Sequence, residues 1–390
     1  MGRDFVARAR AGATMTPLSS DGTEAKPTLF ARMAPWLLAI SSALIGIVLV
    51  ELFCWVFVPN LGRNVPGRDN RVVFFDGKGP IFENHGDIFT YAPRSTIRNV
   101  TAFFSSDAFA VEYDYRFRTN NFGLVQDADV VPGRKSLLLL GDSFTEGQGA
   151  EPWFRLASPT IGRLGYQPVN GGVLGTGFQQ WLKLGGYLSS KHIDVSKVIV
   201  LFISDDYQRP VWNVPPPVFK CISSPSLCRI EQSYFYRLPP PGEMGSWIAR
   251  VREGRRPMKP HLKLSASALL PASSSVYTYL KQLVIHAEAE RGSRAAISEL
   301  IDRYGRGNVV FLHLPQKNEI AGGPNDLGLA ARRAIQAAGG TLFDGFKLCQ
   351  MTPSDYYLND EHPNARGYSK IATCAAEVAS SLASEQAQGD

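Results

Sequence analysis

Ser136-Leu137-Leu138-Leu139-Leu140-Gly141-Asp142-Ser143-Phe144-Thr145-Glu146-Gly147 is the stretch on which the reading of this chain turns. A short, unbroken apolar run reads as a strand buried on both faces, as in parallel sheets covered by helices. Its end in Gly-Asp-Ser predicts a tight turn into a helix, with the small residues Gly141 and Gly147 letting the backbone bend. The Ser143 hydroxyl then stands at the carboxyl edge of the sheet, where open α/β sheets bind their ligands. A serine hydroxyl is a poor nucleophile until a base takes its proton, so an imidazole is needed. Two of the six histidines follow a carboxylate by two residues. His85, after Glu83, lies ahead of the sheet and is set aside. His362, in Asp360-Glu361-His362-Pro363-Asn364, lies beyond the last candidate strand, where a loop can reach the same edge. Ser143 as nucleophile, His362 as base and Asp360 as the acid that orients it form the candidate catalytic set. The competing reading of Asp-x-His-Pro-Asn is a helix-entry loop capped by Asp360 or Asn364.

Working outward, further apolar runs occur at 198–203 and 308–314, with a shorter one at 341–343. Helical spacing marks 279–304 and 369–382 between and after them. Strands alternating with helices predict a mainly parallel central sheet inside a three-layer α/β sandwich, of flavodoxin-like type. Upstream, Val111–Arg118 alternates with period two and Asn120-Asn121-Phe122-Gly123 turns the chain. Residues 209–275 break the rhythm with two Pro-Pro-Pro runs and read as an insertion, with a basic segment from Arg250 to Lys263. The expected organisation is a disordered tail at 1–33, a membrane anchor at 34–58, a linker with accessory strands at 59–110, and a catalytic domain at 111–390. His313 alternates with strand residues and reads as structural. Phe144, Trp153, Phe178 and Trp181 fit equally a sugar-stacking cleft or the core.

Ala34–Val58 carries Glu51 as its sole charge and is long enough to cross a hydrocarbon core of ~30 Å. It exceeds the ~7–15 apolar residues of a cleaved signal peptide, which favours an uncleaved signal-anchor helix. Arginines and Lys26 in the leading tail favour a cytoplasmic N-terminus. One cysteine, Cys54, lies in the apolar run, and four lie outside it. Cys221 with Cys228, and Cys349 with Cys374, can pair in an oxidising compartment. The expected location is the inner membrane, single-pass, with the catalytic domain periplasmic. The composition, 44% hydrophobic and 19% charged with a net charge of +6, is that of a globular protein. No basic stripe interleaved with aromatics points to nucleic acid. No histidine–cysteine spacing suggests a metal, and no cofactor is expected.

These residues resemble the SGNH (GDSL-type) hydrolases, in particular membrane-anchored bacterial members. Gly141-Asp142-Ser143-Phe144-Thr145 matches the first block and Asp360-Glu361-His362-Pro363-Asn364 the last. Asn170-Gly171-Gly172-Val173-Leu174-Gly175-Thr176-Gly177 is similar to the second, and Asn121-Phe122-Gly123-Leu124 to a turn found upstream of the first. The resemblance covers roughly 111–207 and 308–379. It implies an oxyanion hole using the Gly175 amide and, from the third block Gly-x-Asn-Asp, a side-chain donor. Here that block reads Ile203-Ser204-Asp205-Asp206, so Asp205 stands where the family has asparagine. An ionised carboxylate ~3 Å from a developing oxyanion would repel it by ~5 kcal/mol at an effective dielectric near 20. Either Asp205 is protonated, or it points elsewhere, or the amides of Ser143 and Gly175 suffice.

The function expected is a serine esterase or O-acyltransferase that works through an acyl-serine on O-acyl groups, such as acetyl, of an envelope glycan. Polysaccharide-export or acyl-transfer proteins are the expected partners. Two rivals stay open: a catalytically weakened module that binds a glycan or membrane partner, and a lipid-directed esterase.

Overall fold

The computed structural model describes residues 29–57, 70–104, 108–150, 153–255 and 271–387. Most of the expected N-terminal tail and the end of the basic segment lie outside them. The chain divides into two compact units, residues 1–59 and 60–390.

In the first unit, helix α1 spans Leu29–Phe57, so it begins ahead of the expected anchor boundary. Its Met33–Cys54 portion has a mean hydropathy of 2.5 over 22 residues, or ~33 Å of helix. Leu38, Leu44, Ile45, Val48 and Leu49 are exposed along it. An apolar helix of this length with such side chains uncovered is a candidate membrane span or signal anchor.

The second unit opens with β1 (Arg71–Gly77), β2 (Phe82–His85), β3 (Ile88–Tyr91), β4 (Thr96–Phe104) and β5 (Phe109–Arg118). β6 (Lys135–Gly141) ends in the short α2 (Ser143–Glu146), followed by α3 (Phe154–Arg163), β7 (Gln167–Gly172), α4 (Phe178–Ser190) and β8 (Asp194–Phe202). The Pro-rich region folds as α5 (Pro216–Ser223), β9 (Phe235–Arg237) and α6 (Met244–Arg255). Then come α7 (Pro271–Tyr304), β10 (Val309–His313), α8 (Asp326–Ala337), β11 (Thr341–Asp344), α9 (Gly345–Leu348) and α10 (Ala365–Ala387).

β6, β7, β8, β10 and β11 form an all-parallel sheet in the order β11-β10-β8-β6-β7. Counted from β6, that order is 2-1-3-4-5, the flavodoxin-like winding. β7 is the strand the apolar runs did not reveal. Gln167-Pro168-Val169-Asn170-Gly171-Gly172 has one strongly strand-forming residue, and its pairing with β6 at the sheet edge decides its conformation.

The unbroken leucines of β6 are read by both faces. Leu138 and Leu140 pack with Val198, Val200, Phe202 and Phe311 against α4, α7 and α8. Leu137 and Leu139 pack with Ile199, Leu201, Val310 and Leu312 against α3 and α10. That is the three-layer sandwich. Each fully buried leucine contributes ~1.5–3 kcal/mol.

A second, antiparallel-rich sheet has the order β5-β4-β1-β9, its last strand supplied by the insertion. Its inner face, with Val73, Phe75, Ile97, Tyr113, Tyr115 and Phe117, joins the same core as Leu138 and Leu140. Its outer face, with Val72, Phe74 and Val100, is covered by Trp247, Ile248 and Val251 of α6. The strand β5 runs across the 110/111 boundary expected from sequence. Both cysteine pairs that the sequence allows are bonded: Cys221–Cys228 inside the insertion, and Cys349–Cys374 joining the segment after α9 to α10.

Candidate active site

Ser143 sits at the first residue of α2, two residues past the end of β6. Asp142 caps the helix, accepting from the Phe144 amide at 2.8 Å. The turn is possible because Gly141 lacks a Cβ; one placed there would lie 1.9 Å from Thr145 Oγ1 and 2.5 Å from the Leu201 carbonyl oxygen.

The loop ahead of α10 brings the other two residues to this edge. Asn364 caps α10, accepting from the Arg366 and Gly367 amides at 3.0 and 3.2 Å. Buried Asp355 braces the loop's start, accepting from the Thr352 amide at 2.7 Å and Lys370 Nζ at 2.8 Å, and from Arg366. These donors hold its carboxyl well below the usual range against the opposing effect of burial. Of the two candidate caps, then, Asn364 caps the helix and Asp360 turns to the histidine. His362 Nε2 lies 2.8 Å from Ser143 Oγ, and His362 Nδ1 hydrogen-bonds Asp360 Oδ1, which also accepts from the His362 amide at 3.0 Å. With Nδ1–H donated to Asp360, Nε2 offers its lone pair to the serine proton. Asp360 is buried. Burial works to raise its carboxyl pKa, but His362 and then Arg71 outweigh it, leaving Asp360 well below the usual range.

Gly175 sits in the left-handed region (φ 69°) of the loop after β7. Its carbonyl accepts from Trp212 Nε1 at 2.8 Å, and the neighbouring Leu174 amide donates to Glu146 Oε2 at 2.7 Å. Among the described residues the Gly175 N–H has no hydrogen-bond partner, so it is free to donate to a ligand. Asp205 follows a different course from the one the block pattern implies: its Oδ2 accepts from Gln316 Nε2 at 3.0 Å. Its carboxylate is thus engaged by the loop after β10.

Sequence reasoning passed over Arg209, which ties the cleft together. Its Nη1 reaches Asp142 Oδ2 at 2.8 Å, Asp206 Oδ1 at 2.9 Å and the Thr176 carbonyl at 3.3 Å. One guanidinium therefore joins the nucleophile turn, the Gly175 loop and the turn after β8. Burial, and then the charge of Asp142, push Asp206 well above the usual range. Glu146, Arg71 and Tyr113 were also missed as site residues; nothing in their local sequence sets them apart from ordinary strand and turn residues.

The remaining candidates are structural. His313 is buried, accepts from Arg332 Nε at 2.7 Å and faces Ser204 Oγ at 3.2 Å. Burial, and then Arg332, lower its pKa to about 3, so it stays neutral. Phe144, Trp153, Phe178 and Trp181 are all core residues. Among the described residues no group of three or more histidine, cysteine or carboxylate side chains is arranged to hold a metal.

A Gly-Asp-Ser turn on the first strand of a 2-1-3-4-5 sheet, facing an Asp-x-His loop that enters the last helix, decides the type. It is the flavodoxin-like arrangement expected from the resemblance to the SGNH hydrolases. No family profile matches the sequence, and no curated protein is similar to it. Solved structures of low overall overlap include a G-D-S-L family lipolytic protein from Desulfitobacterium hafniense (12% identity, 63% of this chain and 99% of that one, TM-score 0.28). Another is a GDSL-like lipase from Bacteroides ovatus (11%, 82% and 77%, TM-score 0.31). A third is a family two carbohydrate esterase from Cellvibrio japonicus (12%, 81% and 87%, TM-score 0.27).

Proposed function

We propose that the protein is a serine ester hydrolase or O-acyltransferase working through an acyl-serine intermediate. One observation carries the reading: the continuous chain Ser143 Oγ–His362–Asp360 in a site where Ser143 is otherwise walled in by protein. His362 takes the Ser143 proton as Oγ attacks the ester carbonyl. The carbonyl oxygen becomes an oxyanion, for which the Gly175 N–H is an available donor. His362 then returns the proton to the leaving alcohol. The acyl group passes from Ser143 to water, with His362 deprotonating it, or to a second hydroxyl in a transferase.

The candidate membrane span and the two disulfides support a catalytic unit outside the cytoplasm. That location suits O-acyl groups, acetyl among them, on an envelope glycan, with export or acyl-transfer proteins as partners. The engagement of Asp205 by Gln316 favours an active enzyme over a weakened binding module, because it draws the carboxylate into a bond of its own.

The test is a fluorophosphonate probe applied to the full chain beside Ser143→Ala, read by intact mass. One adduct, lost in the variant, supports the reading; no adduct on folded protein refutes it. Release of acetate from acetylated glycans, against transfer to an added glycan, then separates hydrolase from transferase.

A further inference from the structure

Asp360 uses its two oxygens differently. Oδ1 meets His362, whereas Oδ2 lies 3.1 Å from Arg71 Nη2 and accepts from the Tyr113 hydroxyl at 3.1 Å. Arg71 Nη2 also donates to the Tyr113 oxygen at 2.9 Å, and Gln148 Nε2 donates to it at 3.0 Å. With two donors pointing at it, the phenol has one proton to give, and it goes to Asp360. Burial pushes the Tyr113 hydroxyl pKa well up, so that proton stays in place.

A carboxylate this far from water stays ionised and aimed only if the groups around it hold it so. Those groups are not on the parallel sheet. Arg71 opens β1 and Tyr113 lies in β5, both in the second sheet. We propose that Arg71 and Tyr113 are positioning residues, and that the second sheet completes the catalytic site by fixing Asp360 against His362. The inference rests on the serine-acyl reading above.

Other charged and titratable groups also surround the pair. Tyr357, from the same loop, donates its hydroxyl to the Gly149 carbonyl and lies within electrostatic reach of Asp360. Glu112 of β5 is bound by Asn359, and Glu361 follows Asp360 in the chain. On the His362 side stand the Phe144 ring, at 5.5 Å between centroids, and Asp142, 3.3 Å from Ser143 Oγ and neutralised by Arg209. Arg71 is the cation that touches Asp360. Its removal takes a positive charge from beside the Asp360–His362 pair.

The experiment uses the full chain in detergent, comparing wild type with Arg71→Gln, Arg71→Lys and Tyr113→Phe. Fluorophosphonate labelling and p-nitrophenyl acetate turnover are followed against pH. For Arg71→Gln the plateau rate falls ~10- to 100-fold, in line with the loss of a group supporting the general base. Its acid limb moves up by about 0.5–1.5 pH units, the order of effect of deleting one positive charge beside the pair. Arg71→Lys returns the limb to its wild-type position. Tyr113→Phe lowers the plateau and leaves the limb in place, because no charge is lost.

A merely structural role would lower the folded fraction of Arg71→Gln and leave the limb of the surviving enzyme where it was. An unmoved limb in Arg71→Gln, or a lysine that fails to restore it, overturns the inference. Ring-carbon NMR of His362, assigned with His362→Gln, follows the same midpoint without substrate. If wild type labels no better than Ser143→Ala, the hydrolase reading alone falls. The NMR comparison of wild type with Arg71→Gln still decides the positioning role: a midpoint that rises supports it, and one that does not rejects it.

Discussion

Replacing Glu146 by glutamine is expected to stabilise the protein in alkaline solution and to leave it unchanged in acid. Glu146 is fully enclosed between the nucleophile turn and the Gly175 loop. Tyr91 donates to its Oε1 at 2.8 Å and the Leu174 amide to its Oε2 at 2.7 Å. Burial pushes its carboxyl pKa from 4.5 up to about 8, more than those two bonds lower it, and the charge of Asp142 adds to the rise. The folded protein therefore keeps a proton that the unfolded chain releases above pH 4.5. Between 4.5 and about 8 the unfolded state binds fewer protons, so stability falls as pH rises through that window. At ~1.36 kcal/mol per pH unit the whole effect is ~5 kcal/mol, and no solvent screens a group this deep. A glutamine mimics the protonated acid: its carbonyl accepts from Leu174, its amide faces the Tyr91 oxygen, and it does not ionise. The assay is urea unfolding of the full chain in detergent at about pH 5 and pH 9, followed by tryptophan fluorescence. Glu146→Gln should match wild type within ~1 kcal/mol at the lower pH and exceed it by ~2–5 kcal/mol at the higher. Equal destabilisation at both would refute the argument, because it would mean that Glu146 acts as a carboxylate throughout.

Asp205→Asn should change ester turnover by less than ~3-fold, since Gln316 can donate to either side chain. A gain of the order of 10²–10³, the worth of an oxyanion donor, would show that Asp205 faces the reacting oxygen. Arg209→Met leaves buried Asp142 without its cation and should cost ~3–5 kcal/mol in urea unfolding. A loss under ~1 kcal/mol would mean that the Asp142 pair behaves as an exposed one. Serines in place of Cys349 and Cys374 open a loop of 25 residues and should cost ~3 kcal/mol in thermal or urea unfolding. Unchanged stability would show that the unfolded chain is little constrained by that bond.

Much of this protein was determined locally, and those parts could be read in the sequence. The leucines of β6 specify a two-sided strand by themselves, and Gly-Asp-Ser specifies the turn because only a residue without a Cβ fits at Gly141. The Asp360–His362 spacing places acid and base on one short loop, and the apolar run near the N-terminus announces its helix by composition alone. Other features belong to neighbours distant in the chain. Gln167–Gly172 has little strand preference, and it becomes β7 because β6 offers it a row of backbone partners. Asp205 and Asp206 are adjacent and alike in sequence, yet Gln316 takes one and Arg209 the other. Arg71 reads as a cation following the apolar helix until β4 pairs with both β1 and β5 and brings it to Asp360, 289 positions further along the chain. Chemistry set by residue type and short spacing is legible in one dimension. The burial and charge that tune a carboxylate depend on which strands meet, and only the folded chain decides that.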